Sequence, residues 1–205
     1  MEKLLAVKPL RLLTLGACAL VGASACTTLS SNVFGIPAQA AITTPAGPVE
    51  ARAELINRDR EVIGMARFQQ GPNGVVITIK AEGLASEGSG QWHGAHLHEI
   101  GDCSNEDFTS SGGHINPDGA THGFLSETGP DNADLPNLWV HPDGVLKASA
   151  FNTRVAISEG YGQPALLDEN GSALVIHANP DDMISQPIGG AGPRIICGVI
   201  EAVDS

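Results

Sequence analysis

His96 and His98 stand two residues apart in the run WHGAHLHEIGDC, residues 92–103. On a β-strand that spacing sends both imidazoles to one face and Leu97 to the other. Imidazole nitrogens suit copper and zinc, so the pair reads as half of a clamp for one ion. Taken alone it also fits polar residues on a wet face. Further ligand types gather downstream: His114, His122, Asp131 and Asp134 lie in one glycine-rich stretch, and His177 closes the hydrophobic run ALVIH just before Asp181 and Asp182. A solvated loop has no need of a histidine at the end of a buried strand. Two ions fit this inventory if one histidine is shared, its imidazolate bridging both.

Short strands have to carry these residues. Residues 51–57 alternate weakly, residues 61–68 and 75–80 are more strand-like with valine and isoleucine in polar alternation, and Gly71-Pro72-Asn73-Gly74 joins the last two as a hairpin. Residues 92–99, 138–140, 145–155, 173–177 and 195–203 supply further strands. Asp143-Gly144 and Asn170-Gly171 mark turns. Residues 101–136 show almost no periodicity, and a loop of that length in a small domain usually carries function. The chain has 25 glycines, 13 prolines and no persistent helical stripe. The expected class is all-β, a sandwich or small barrel with function grafted on loops. His93 is out of phase with His96 and is expected at the surface. Trp139 fits either the core or a subunit contact. The run GGAG (189–192) is no intact phosphate loop and follows no βα unit.

The first 25 residues have the layout of an export signal: Lys3, Lys8 and Arg11, then an uncharged apolar stretch ending in small residues. Cleavage after Ala38-Gln39-Ala40 is one reading. A lipid-bearing cysteine, Cys26 or alternatively Cys18, is the other, giving a membrane-tethered form. Residues 26–48 read as a flexible lead-in and 49–205 as the functional domain. Outside the signal region only Cys103 and Cys197 remain, and in an oxidising exported compartment such a pair reads as a disulfide. The formal net charge of −12 disfavours a nucleic-acid partner. It does not exclude an anionic substrate, because a local cation in a cleft can outweigh the global sign.

Together, GAHLHEIGDC (94–103), GGHINPDGATHG (112–123), DLPNL (134–138), LVIHANPDD (174–182) and GGAGPRIICGVI (189–200) resemble the copper–zinc superoxide dismutase family, bacterial exported branch. The resemblance runs from about residue 50 to the C-terminus. It implies a Greek-key antiparallel β-barrel of about eight strands with long metal-binding loops, exported to the periplasm. It implies copper on His96, His98, His114 and His177, and zinc on the bridging His114 with His122 and Asp134. Asp181 would accept from both His96 and His122, Arg194 would orient superoxide, and Cys103–Cys197 would be the family disulfide. The implied reaction converts two superoxide anions and two protons to dioxygen and hydrogen peroxide by redox cycling of the His-ligated copper. His114 would take part as bridge and proton carrier. A homodimer and a lipid anchor through Cys26 are further partners to test.

One position departs from the family pattern. A histidine normally stands three residues before the zinc aspartate, and here that position is Asp131. Three readings stay open: Asp131 replaces the histidine in a His2Asp2 site, His141 swings in, or the zinc site is empty and copper works alone. A copper-buffering module with little turnover is the functional alternative, although a buffer has no need of Arg194. A purely structural β domain leaves the ordered histidines unexplained.

Overall fold

The computed structural model describes Gly47 and residues 49–84 and 88–203. The signal, Cys18, Cys26 and nearly all of the lead-in lie outside the described residues. Nine strands form one antiparallel sheet: β1 Glu50–Asn57, β2 Val62–Gly71, β3 Gly74–Ala81, β4 Gln91–His93, β5 Ala95–His98, β6 Leu138–Val140, β7 Leu146–Asn152, β8 Ser172–His177 and β9 Arg194–Ala202. The order across the sheet is β4-β6-β7-β3-β2-β1-β9-β8-β5. Its two terminal strands, β4 and β5, are consecutive in the chain and separated only by Gly94. The sheet therefore closes on itself into a nearly closed barrel.

The 92–99 run is thus two strands rather than one. β4 pairs with β6, and β5 pairs with β8. Gly94 makes the switch, donating to Asn179 O at 2.8 Å and accepting from His177 N at 2.9 Å. Counted as one bent strand, the run restores the eight strands of the sequence expectation. The hairpin is as expected, with Gly71 paired to Gly74 across Pro72-Asn73. Gly74 has φ 142°, and a Cβ there would meet Asn152 O at 2.4 Å, so only glycine fits the turn.

Alternate residues fill the barrel: Ala51, Ala53 and Leu55 from β1, Val75, Ile77 and Ile79 from β3, Ala95 and Leu97 from β5. β8 is buried on both faces. Leu174 and Ile176 enter the main core. Ala173 and Val175 pack outward under Phe108 and the cysteines. Full burial is worth roughly 1.5–3 kcal/mol per large apolar side chain, so β8 is gripped from two sides. That grip fixes His177 at its end. Cys103 and Cys197 are disulfide-bonded with Cα atoms 5.9 Å apart, tying the long loop to β9.

Candidate metal centre

β5 supplies the base of the site. Ala95 and Leu97 point into the barrel, so His96 and His98 project outward, yet both are buried. The long loop covers them by running along the free edge of β5. Leu97 N donates to Ala133 O and Ile115 N donates to Leu97 O, both at 3.1 Å. Bridges pair His96 with Asp134 and His98 with His114. The strand thus draws the loop's ligands to its own histidines. Ring centroids of His96 and His114 are 4.3 Å apart, and those of His96 and His177 are 4.9 Å apart.

Six buried side-chain atoms among the described residues have no hydrogen-bond partner: His96 Nδ1, His98 Nε2, His114 Nε2, His177 Nε2, His122 Nδ1 and Asp134 Oδ1. Buried polar atoms without partners cost free energy, so their concentration in one place needs a cause. The other ring nitrogens explain the tautomers. His98 Nδ1 donates to Gly112 O at 3.0 Å and His177 Nδ1 to Gly192 O at 2.9 Å. His96 Nε2 donates to Asp181 Oδ2 at 2.8 Å. Each ring therefore presents a bare lone pair on its free nitrogen, and a cation is the partner of the right sign. Burial keeps these rings neutral. It lowers His177 to about 3, helped by His96, and pushes His98 well below 6.5, helped by the Arg194 charge. Burial lowers His96 as well.

A second cluster joins His114, His122, Asp131 and Asp134, whose ligand atoms lie within 4.8 Å of one another. Both carboxylates divide their work in the same way. Asp131 Oδ1 accepts from Ala133 N at 2.9 Å and Asp134 N at 3.1 Å, leaving Oδ2 beside His114 Nδ1 at 2.8 Å. Asp134 Oδ2 accepts from Gly123 N at 2.7 Å and Asp131 N at 3.0 Å. Its Oδ1 is left 2.6 Å from His122 Nδ1, close but not aligned as a hydrogen bond. Once the His122 proton is displaced, these two atoms present lone pairs to the same spot, which suits a common ion. Two nitrogens and two oxygens make a donor set acceptable to zinc. His141 is exposed in the β6–β7 turn and belongs to none of the described ligand clusters.

Asp181 links the two clusters through His96 and through His122 Nε2, the latter at 3.0 Å. Burial opposes its ionisation, but the hydrogen bonds from His122 and His96 hold it well below the usual carboxylate range. Burial likewise opposes a charge on His122, yet Asp134 and Asp181 raise it to about 10. The two carboxylates thus favour the charged form of the His122 ring between them. Gly189, at φ 60°, lies against Asp181, and a Cβ there would fall 1.6 Å from Oδ1.

A cavity of about 350 Å³ opens onto His98, His114 and Arg194, with Gln186 and Pro187 on its rim. Arg194 is half-buried. Its Nη1 donates to Phe108 O at 2.8 Å and Ser111 Oγ at 3.0 Å, and its Nη2 donates to Gly112 O at 2.8 Å. These bonds fix the guanidinium at the cavity wall. Burial lowers its pKa, which Asp107 partly offsets.

His93 corrects the sequence expectation. It is buried, with Nδ1 2.7 Å from His177 O and Nε2 3.0 Å from Gly88 O, and so braces the His177 backbone. The turn at Gly94 breaks the strand periodicity that placed it outside. Trp139 is half-buried against Trp92, with centroids 5.2 Å apart, rather than in the core. Two amides were not singled out in the sequence. Asn137 donates to Asp181 O at 2.8 Å and accepts from Asp181 N at 2.9 Å. Gln186 does the same for His122, at 2.9 and 3.0 Å. Asn137 lies within the DLPNL motif, so position gave a hint; nothing local distinguished Gln186.

The copper/zinc superoxide dismutase family model matches residues 62–200. This chain belongs to the copper/zinc superoxide dismutase family. A Caulobacter vibrioides protein named Superoxide dismutase (Cu-Zn) is 42% identical over 144 residues, spanning 70% of this chain and 80% of that protein. An Aquifex aeolicus protein named Superoxide dismutase (Cu-Zn) 2 is 41% identical over 152 residues, spanning 74% and 86%. These family members are oxidoreductases by name. Among solved structures, a superoxide dismutase-like protein from Bacillus subtilis superimposes with a TM-score of 0.68 at 35% identity, covering 72% of this chain and 96% of that one.

Proposed function

We propose that this protein is an exported superoxide dismutase with copper on His96 Nδ1, His98 Nε2, His114 Nε2 and His177 Nε2. Zinc would be held by His114 Nδ1, His122 Nδ1, Asp131 Oδ2 and Asp134 Oδ1, with Asp131 completing the site. The observation that carries this reading is the set of four buried imidazole nitrogens without hydrogen-bond partners; ligand atoms of His96, His98 and His114 lie within 4.8 Å of one another, and the His177 ring centroid is 4.9 Å from that of His96. The chemistry copper supplies when bound is one-electron redox, by which two superoxide anions and two protons give dioxygen and hydrogen peroxide.

The residues do the rest. Arg194 places a fixed positive charge at the cavity wall, where it attracts and orients a small anion. Among the described cavity-lining residues it is the only arginine or lysine, so its field acts against a strongly acidic protein. His114, which lines the cavity, would hold a proton on Nε2 and deliver it to reduced substrate. Asp181 keeps His96 and His122 in the tautomers their ligand roles need. Asp131 makes the zinc set one charge more negative than a three-histidine set. The domain would begin near residue 49, after a signal and a lead-in that carry the protein to the periplasm, either soluble or tethered through Cys26. We also propose pairing of two copies through the exposed Trp92 with Trp139. Sedimentation velocity giving only monomer at micromolar concentration would reject that pairing.

The test is the rate of superoxide decay with protein loaded with both metals, against its total copper. Many superoxide anions consumed per copper support the enzyme. Stoichiometric copper binding without turnover would make the chain a copper-holding module instead.

A further inference from the structure

The β1–β2 turn reaches into the support of Arg194. Arg60, within that turn, has φ 67°, a left-handed conformation uncommon outside glycine. From there its Nη1 donates to Cys103 O and its Nη2 to Ser104 O. The guanidinium carbon also lies 5.3 Å from the centroid of the Phe108 ring. Two residues earlier, Arg58 Nε donates to Arg194 O at 2.9 Å. The segment so gripped is the one that fixes Arg194: Phe108 O, Ser111 Oγ and Gly112 O receive its guanidinium hydrogens. One turn on the barrel therefore holds both the backbone of Arg194 and the loop its side chain leans on.

We propose that Arg60, assisted by Arg58, is a positioning residue for the anion-docking Arg194, clamping the disulfide loop independently of the Cys103–Cys197 bond. The inference rests on the reading of Arg194 as the docking group. A planar fork is needed because two successive carbonyls must be met at once while the plane covers an aromatic face. A lysine ammonium is a point donor and reproduces only part of this. The strained backbone at Arg60 persists because these contacts over-determine it.

The test is an azide titration of the copper- and zinc-loaded protein, followed by the copper absorption band. Wild type, Arg60→Gly, Arg60→Lys and Arg194→Gln are compared. Glycine accepts φ 67°, so Arg60→Gly removes the clamp without altering the turn. Residues acting at a distance on a site change its affinity by about 2- to 30-fold, and azide binding is expected to weaken within that range. Metal content and the copper electron paramagnetic resonance spectrum stay unchanged, and Arg60→Lys recovers part of the loss. A second readout needs no copper. In the zinc-loaded protein, nitrogen-15 NMR should show hindered guanidinium rotation of Arg194, faster in Arg60→Gly. Weaker azide binding in Arg194→Gln with none in Arg60→Gly overturns the positioning role. A fall in melting temperature alone, with azide binding and rotation unmoved, also overturns it. No change in azide binding in either variant overturns the docking reading itself.

Discussion

Replacing Asp181 with asparagine changes one polar atom and should separate the two proposed metal sites in their response. Asp181 Oδ1 accepts from His122 Nε2 at 3.0 Å and Met183 N at 2.6 Å, whereas Oδ2 accepts only from His96 Nε2 at 2.8 Å. The asparagine oxygen will take the Oδ1 place, where two donors need it, and the NH2 group will face His96 Nε2–H. Two donors cannot bond. His96 would escape by moving its proton to Nδ1, the nitrogen otherwise without a partner and proposed as a copper ligand. Copper would then lose one ligand lone pair, while His122 would keep its partner. Losing such an outer partner costs about 10- to 100-fold in metal affinity, or roughly 1.4–2.7 kcal/mol. The Asp181→Asn variant should therefore weaken copper by that factor in chelator competition, with zinc changed much less. Equal losses of both metals, or unchanged copper, would refute the tautomer argument.

Asp131→Asn removes an anionic ligand and should abolish stoichiometric zinc binding at chelator levels that wild type survives, whereas Asp131→His should retain zinc; elemental analysis reads both. Arg194→Gln should lower the dismutation rate by about 10-fold or more and flatten its dependence on ionic strength at constant metal content, as expected when a steering charge is removed. Reducing the disulfide opens a 94-residue separation and should cost roughly 4.7 kcal/mol on the chain-entropy account, read by urea melts with and without reductant. Metal-free protein should be most stable near pH 6.5. Below that the unfolded chain binds protons that His96, His98 and His177, all lowered, refuse in the fold. Above it the folded chain keeps the His122 proton up to about pH 10 and loses that stabilisation as pH rises through it. Each proton is worth about 1.4 kcal/mol per pH unit. Thermal melts across pH 5–10 check the peak.

Most strand positions could be read from local pattern: β1 and β3 alternate, and β8 is a short continuous apolar run because both its faces are buried. The side chains of the two clusters could be singled out because histidine is uncommon and its spacing informative. Alternation failed at Gly94, where the chain changes partner strand and the pattern restarts, and so His93 was misplaced. Asn137 and Gln186 escaped because their work is done on backbone atoms of residues 44 and 64 positions away. Composition says nothing about such pairs. Asp131 was visible as a departure and as one possible zinc ligand, but the sequence could not choose among the three readings, because its fitness depends on which oxygen the backbone claims. Only the fold shows Oδ1 taken by backbone amides and Oδ2 turned to His114 Nδ1.

The central claim is that four bare imidazole nitrogens hold copper and that Asp131 completes a zinc site beside them. Anomalous diffraction at the copper and zinc edges, from crystals of protein loaded with both metals, tests it most directly. The account predicts a copper peak among His96, His98, His114 and His177, and a zinc peak among His114, His122, Asp131 and Asp134. A fully occupied copper peak with no zinc peak, or zinc with Asp131 turned away, would contradict it.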